Sequence, residues 1–379
     1  MMKEVSGQSS RKRVLRKALL IALVVVSCLF PGCSCFKQPQ RATKKRVKKV
    51  EVAAIVCPLC GREVTEAAYI NRRPLAVKVE NDPAARPQSG LDKACVVYEE
   101  ITEAGITRFM AMYLCRDADP VGPVRSARPV DVDIVFPYNA VFAHCGGGGP
   151  TLRMIKQSGI PDLDEFTWAG AYWRTRDRRA PHNLYTSTPR LREAGDKAYP
   201  FQGTVGTPFE FLTGEQIKKM EKDREEELSR AARARSVPQQ YTPLIASVNN
   251  IYIPYTKTCA VRYSYDPANR SFLRFVANLP HTDLRTGRQL AADTVIVQYV
   301  TENRSGIRDV YGADSPELGV VGSGRAQVYT MGQLIDANWE KSAREEHTRY
   351  VDNSGHVIKL KSGAIWIQLV PTTRQVTTD

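Results

Sequence analysis

The sequence lacks the motifs by which several large enzyme classes are identified. It has no Walker loop, no glycine-rich dinucleotide fingerprint and no internal repeat. Ser126 and Cys145 are candidate nucleophiles by residue type, but neither stands in a Gly-x-Ser-x-Gly elbow, and we assign no catalytic role to either. These absences argue against a nucleotide-dependent enzyme and leave open whether the chain is an enzyme at all.

Excess basic charge is also lacking outside the N-terminal segment. The whole chain carries a net charge of +14, but residues 1–50 contain 13 Lys and Arg against the single acid Glu4, which is +12. The remaining 329 residues carry 41 basic and 39 acidic groups, a net charge of +2. A nucleic-acid binder needs a basic footprint on its folded part. The charge distribution therefore predicts no nucleic-acid partner.

The sequence has no apolar run long enough for a comfortable membrane span. The run from Ala18 to Phe30 follows a basic stretch and is typical of a secretory signal peptide. It leads into Leu-Phe-Pro-Gly-Cys33, which resembles the lipobox of bacterial lipoproteins, where the cysteine is diacylated and becomes the mature N-terminus. We predict a lipoprotein signal peptide over residues 1–33 with Cys33 as the lipidation site. Cys28 is a weaker candidate, and an uncleaved signal anchor is the alternative.

Residues 34–56 are rich in Lys and Arg and form a basic tether in this interpretation. Such a segment lies near acidic lipid or wall polymer, or it serves as a plain spacer, and composition does not separate the two. The lipid anchor predicts an extracytoplasmic protein attached to the bacterial cell membrane.

The cysteines after the tether give one short motif. Cys57-Pro-Leu-Cys60-Gly looks like half of a zinc ribbon, because a tight turn can direct two thiolates to one metal. No second Cys-x-x-Cys or His pair follows at ribbon spacing, and the other cysteines stand singly, at Cys95, Cys115, Cys145 and Cys259. We therefore expect a disulfide or a simple turn, no metal and no cofactor.

The body of the chain predicts an α+β fold in two domains. Residues 57–210 alternate buried-type strands with a helix at Thr151–Ser158, which predicts a layered domain of mixed sheet and helices. Residues 211–237 are dense in Lys, Arg and Glu and predict a solvated helical linker. Residues 238–371 contain a hairpin pattern and four further strand-like runs, which predict a strand-rich C-terminal domain.

The stretch from Val121 to Pro150 organises the candidate site. It places two arginines beside Gly and Pro, and continues through a strand-like run to a histidine and four glycines. Guanidinium groups bind planar anions through paired hydrogen bonds, and glycine lets the backbone approach such a ligand. A later basic run adds a His-Asn pair. The predicted ligand-binding residues are Arg108, Arg125, Arg128, His144, Arg174, Arg178, His182 and Asn183.

A structural alternative stands beside this interpretation. Neighbouring acids can pair with the arginines as an internal ion network, and each histidine can be a hydrogen-bonded core residue. The candidate acidic partners are Glu99, Glu100, Glu103, Asp131 and Asp133.

Six segments, taken in order, resemble the YerB-like lipoprotein family of bacteria. They are Arg73-Pro-Leu-Ala-Val-Lys-Val-Glu-Asn, Ala85-Arg-Pro-Gln-Ser-Gly-Leu, Val97-Tyr-Glu-Glu, Gly105-Ile-Thr-Arg-Phe, Val121-Gly-Pro-Val-Arg-Ser-Ala-Arg-Pro and Ala180-Pro-His-Asn-Leu-Tyr-Thr-Ser. The resemblance covers roughly Cys57 to Pro371 and implies two adjoining domains of unknown function. Cys60 stands where the family's opening motif has Thr, which argues against a metal role, and the glycine cluster is longer than the family's.

The motif order also resembles, more faintly, that of LytR-CpsA-Psr proteins. Those proteins transfer anionic glycopolymers from polyprenyl pyrophosphate carriers and hold the pyrophosphate with arginines. The Arg-Asp constellation of that family is not clearly reproduced, so the likeness is one of order alone.

Three functions follow as hypotheses. The favoured one is an envelope lipoprotein whose Arg/His basin binds an anionic cell-wall polymer or the phosphate of a lipid carrier. The alternatives are an enzyme acting on a polyprenyl-pyrophosphate-linked glycopolymer, and a structural or partner-docking lipoprotein.

Replacing Cys33 with Ala tests the anchor. Two acyl chains give stable membrane binding whereas one is marginal, so we expect Cys33→Ala to release the protein or to leave an unprocessed precursor. Fractionation and intact mass of the N-terminal peptide measure this. Cys28→Ala is the matched control, and loss of anchoring in that variant alone would contradict the assignment.

Overall fold

The apolar runs of the sequence lie inside one large mixed sheet. The computed structural model describes residues 54–234, 247–309 and 312–379. The predicted signal peptide, Cys33 and the tether up to residue 53 lie outside the described residues. Within the described ranges, none of the helices combines the length and apolar character needed to cross a bilayer.

Four α-helices and eight strands precede the segment that the structure leaves undescribed at residues 235–246. The helices are α1 Pro129–Val135, α2 Gly149–Ser158, α3 Thr188–Ala198 and α4 Gly214–Ala234. The strands are β1 Leu75–Glu80, β2 Val96–Ile101, β3 Thr107–Tyr113, β4 Val141–His144, β5 Asp162–Asp164, β6 Tyr172–Arg174, β7 Leu184–Thr186 and β8 Glu210–Phe211.

The described residues after 246 form thirteen strands and no helix, which confirms the α+β class with a strand-rich C-terminal region. They are β9 Asn250–Ile253, β10 Val261–Asp266, β11 Ser271–Val276, β12 Leu279–Pro280, β13 Ala291–Ala292, β14 Thr294–Arg308, β15 Asp314–Gly319, β16 Gly322–Thr330, β17 Gln333–Lys341, β18 Arg349–Asp352, β19 Lys359–Leu360, β20 Ile365–Pro371 and β21 Thr377–Thr378.

The large sheet takes strands from both halves of the chain. Its order is β18-β17-β16-β14-β20-β2-β3-β1-β4-β5, and β15 extends it by pairing with β14. The halves meet where β2 and β20 pair in parallel, with Val96 opposite Ile365. Both strands are buried along their whole length, including the polar side chains Glu99 and Glu100 of β2 and Gln368 of β20. The division into domains 57–210 and 238–371 stays a prediction.

A smaller antiparallel sheet, with the order β12-β11-β10-β9-β21, packs against the large one. Its anchor is Arg274 on β11, which is fully buried and whose Nη2 lies 2.7 Å from Glu99 Oε2 on β2. The guanidinium also lies 4.6 Å from the ring centroid of Trp366. The sheet–sheet interface therefore contains one compensated charge pair inside an apolar core.

Helix α4 is the helix predicted in the charged segment. Its contacts lie with the C-terminal strands: Glu221 pairs with Arg270. Gln333 Nε2 also donates to the Met220 carbonyl at 3.1 Å. The helix is thus held along one side, although its sequence is polar.

Replacing Arg274 with Met tests the buried pair. The change leaves Glu99 charged and buried, so we expect the free energy of unfolding to fall by about 3–5 kcal/mol in urea titrations. Arg349→Met is the control, because Arg349 is 60% exposed and its pair with Glu340 spans 4.0 Å. Equal stability of the two variants would show that Arg274 contributes only packing.

Candidate functional site

Glu80, at the end of β1, holds two of the predicted site residues. Its Oε1 lies 2.9 Å from Arg125 Nε and its Oε2 lies 3.0 Å from His182 Nδ1. The backbone explains the first contact, because Arg125 N donates to the Lys78 carbonyl at 3.0 Å and so runs beside β1. We call Glu80, Arg125 and His182 the Glu80 cluster. Arg125 and His182 each keep 24% of their side chain exposed, so both groups remain partly accessible to solvent.

Glu103 gathers two further arginines. Arg128 Nη2 donates to Glu103 Oε2 at 2.6 Å, its Nε contacts Oε1, and Arg108 Nη2 lies 3.8 Å from Oε2. Burial alone would raise the pKa of Glu103, but Arg128, Arg108 and the Ser315 hydroxyl lower it to about 2. Burial and the neighbouring Arg128 lower the pKa of Arg108 to about 10. Both arginines are buried, and the Glu103 carboxylate compensates their charge inside the protein.

His144 lies at the end of β4 and is fully buried. Its Nδ1 lies 2.9 Å from the Gly146 carbonyl and its Nε2 lies 2.9 Å from Asp162 Oδ1. Both ring nitrogens are therefore occupied by internal partners. The glycine cluster is also bound internally, since Gly146 N donates to Asp164 Oδ1 at 2.8 Å.

The remaining predicted residues come from the segment 174–183. Arg174 Nη1 donates to Asn183 Oδ1 at 3.2 Å, and its Nη2 lies 3.5 Å from Glu165 Oε1. Arg174 nevertheless keeps 43% of its side chain exposed. Arg178 donates to two backbone carbonyls, one of them Pro87 O at 2.7 Å. The eight predicted residues thus form separate groups of internal contacts instead of one basin. Arg125, His182 and Arg174 remain partly exposed.

The acids proposed as partners are distributed differently from the sequence expectation. Of these five acids, only Glu103 forms a side-chain ion pair with a predicted site arginine among the described contacts. Asp133 pairs with Arg344, and Glu99 pairs with Arg274. Sequence reasoning missed Glu80, although the alternation of Lys78 and Glu80 with valines on a buried strand was the available signal.

A buried triad lies beside these clusters. Lys78 Nζ lies 2.6 Å from Asp131 Oδ1 and also contacts Glu100 Oε1, and all three side chains are fully buried. Asp131 Oδ2 accepts a hydrogen bond from Arg128 N at 2.6 Å, which caps α1. The pKa of Glu100 is raised to about 8. Burial is the larger cause, the negative charge of Asp131 adds to it, and the positive charge of Lys78 opposes the shift.

A group of thiols lies at the other end of β2 and β3. Cys57, Cys60, Cys95 and Cys115 are buried, and their sulfur atoms all lie within 4.8 Å of one another. We call them the four-cysteine cluster. The expectation of no metal assumed that the chain offers no second pair of cysteine ligands. That premise is wrong, because the antiparallel pairing of β2 with β3 brings Cys95 and Cys115 together.

Comparison with known proteins identifies the family. Residues 59–202 match the N-terminal domain, and residues 251–367 the C-terminal domain, of the family described as protein of unknown function (DUF3048). The chain belongs to the DUF3048 family. This DUF3048 chain is 28% identical to the "Putative lipoprotein YerB" of Bacillus subtilis (strain 168), over 92% of this chain and 94% of that protein.

A solved structure supports the same relationship. The crystal structure of the YerB protein from Bacillus subtilis is similar to the DUF3048 fold described above, with a TM-score of 0.69 and 25% identity. The similarity covers 85% of this chain and 99% of that chain. The resemblance to the YerB-like family is therefore confirmed.

Replacing Glu100 with Gln tests the buried triad through pH. A folded pKa near 8, above the ordinary value of 4.5, means that the folded state binds the proton more tightly. The stability of the parent should therefore fall as pH rises from about 4.5 to about 8. Glu100→Gln removes that penalty, and we expect it to be more stable than the parent at pH 9 by on the order of 2 kcal/mol, with a smaller difference at pH 5.

Urea titrations at the two pH values measure the difference. Glu317→Gln is the control, because that carboxylate is exposed and its loss should change stability equally at both pH values. A Glu100→Gln variant whose advantage is larger at pH 5 would contradict the assigned direction.

Proposed function

We propose that this chain is a membrane-anchored extracytoplasmic lipoprotein whose Glu80 cluster binds an anionic group of a cell-envelope ligand. Two observations support the location. The N-terminal sequence ends its apolar run at a lipobox-like Cys33, and a relative that matches nearly the whole chain bears the name of a lipoprotein.

The observation that carries the binding proposal is the way Glu80 holds Arg125 and His182. One carboxylate lies 2.9 Å from Arg125 Nε and 3.0 Å from His182 Nδ1, and both side chains remain partly exposed. Held groups lose little rotamer freedom on binding. A partly exposed guanidinium and an adjacent imidazole suit a phosphate or carboxylate group.

Arg174 lies on β6, opposite Leu184 of β7 and so close to the chain segment of His182. It contacts Asn183, the neighbour of His182, and its side chain is 43% exposed. The surface of Arg125, His182 and Arg174 can therefore contact a ligand larger than a single phosphate, such as a pyrophosphate of a lipid carrier or a wall-polymer phosphate.

A structural or partner-docking lipoprotein is the second candidate. It is favoured by the Glu103 pairs, because Arg108 and Arg128 are buried and internally compensated. In that case the arginines stabilise the fold, and no ligand binds at the Glu80 cluster.

Arg125→Ala separates the two candidates. A charge-assisted hydrogen bond is worth about 1.5–3 kcal/mol, so we expect binding of inorganic pyrophosphate to the full chain in detergent to weaken by about tenfold or more. Titration calorimetry measures this, and added salt should weaken the parent's binding. His182→Ala should show a smaller loss.

Two controls keep the test selective. Arg304→Ala removes an arginine whose side chain is 81% exposed and which pairs with Asp314, so its pyrophosphate binding should equal the parent's. Arg128→Ala should lower stability through loss of the Glu103 pair. A parent that binds no pyrophosphate, or an Arg125→Ala variant that binds as well as the parent, would overturn the binding proposal and favour the structural one.

A further inference from the structure

We propose that the four-cysteine cluster binds one Zn²⁺ ion, as a structural site that fixes the turn carrying Cys57 and Cys60 to the central strands of the large sheet. No residue of the Glu80 or Glu103 contacts belongs to this cluster. The inference is therefore independent of the proposed anion binding.

The sulfur positions fit a tetrahedral ion. Zn–S bonds of about 2.3 Å in a tetrahedron place the sulfur atoms about 3.8 Å apart. The Sγ–Sγ distances are 3.9 Å for Cys57–Cys95, 3.6 Å for Cys60–Cys115 and 3.6 Å for Cys95–Cys115. These values lie on both sides of the tetrahedral distance, and four thiolates form the ligand set of many structural zinc sites.

The first two ligands lie on a tight turn. Gly61 N donates to the Cys57 carbonyl at 2.8 Å, and Cys57 N donates to the Arg62 carbonyl at 2.8 Å. Gly61 has a φ of +67°, and a Cβ there would lie 2.5 Å from the ring of Phe211. Glycine is therefore required at this position, and the turn directs the sulfurs of Cys57 and Cys60 to the same place.

The other two ligands lie at the open end of the β2–β3 hairpin. Cys95 comes directly before β2, and its N–H donates to the Met112 carbonyl at 2.8 Å. Cys115 follows β3 by two residues and is 6% exposed. The strands that position this pair are buried on both faces, so the pair is held independently of any metal. Such a preformed arrangement reduces the cost of binding an ion.

Disulfides are the competing state in an oxidising compartment. A disulfide joins two sulfurs at about 2.05 Å and leaves each sulfur with one partner. In the cluster, Cys95 and Cys115 each have two sulfur neighbours at 3.6–3.9 Å. These distances favour no single disulfide pairing over another. Four sulfur atoms at similar distances from one another can all coordinate one central ion.

A metal at this position would join three parts of the fold. The turn carries Cys57 and Cys60, the β2–β3 hairpin carries the other two cysteines, and β20 begins beside them. Ile365 N donates to the Cys95 carbonyl at 3.1 Å, and Gly363 N donates to the Cys60 carbonyl at 2.8 Å. The ion would replace thiol protons, so its binding releases protons and adds to the stability of the folded state.

Elemental analysis of the full chain, purified from its membrane without added metal, tests the site. We expect one zinc per chain, and four thiols that react with an alkylating reagent only after a chelator is added. Cys95→Ser and Cys115→Ser should each lower the zinc content by at least about tenfold. Cys259→Ser is the matched control, since Cys259 is buried outside the cluster, and it should keep one zinc.

The parent protein alone also decides the question, should the serine variants fail to fold. An intact mass that shows two disulfides among the four cysteines would overturn the proposal. Four free thiols that take up no Zn²⁺ on incubation would overturn it as well. Iron in place of zinc would contradict the zinc assignment.

Discussion

Strand β2 buries a carboxyl group on each of its faces, and the structure around it offsets the cost. A buried charge without a partner is strongly unfavourable. Glu99 meets Arg274 from the smaller sheet, and Glu100 meets Lys78 from β1. A slip of one residue in the pairing of β2 would exchange its two faces. Both carboxyl groups would then lose their partners, so these two contacts favour the observed register of β2.

Local backbone conformation separates the two arginines of the candidate site. Arg125 and Arg128 stand three residues apart and look equivalent in the sequence. Arg125 lies in an extended segment beside β1 and reaches Glu80, whereas α1 begins at Pro129 and directs Arg128 to Glu103. One arginine remains partly exposed and the other is enclosed. The proposed binding surface therefore includes Arg125 and excludes Arg128, and Glu80 holds Arg125 in place.

Much of the fold could be predicted from local pattern, because its central strands are short runs rich in apolar residues. The helix before Gly159 and the hairpin of β10 and β11 follow local signals and were also predicted. The outer part of β14, from 301 to 308, was not, since it is polar and pairs only with β15. Pairings between distant residues were beyond local pattern. Glu80 with Arg125, and Cys95 with Cys115, depend on strand register, which no single segment encodes.

The turn at Cys57 has a mechanical consequence. Any pull on the N-terminal segment reaches the described fold first at the short hairpin in which Val56 pairs with Glu63. That hairpin is joined to the interior of the sheet, through Gly363 N on the Cys60 carbonyl and through the ion pair of Arg62 with Asp293 at 3.0 Å. A tensile load would thus pass to the strands at the middle of the sheet, which are paired on both sides. The edge strands β5 and β18 would not be pulled away from their neighbours.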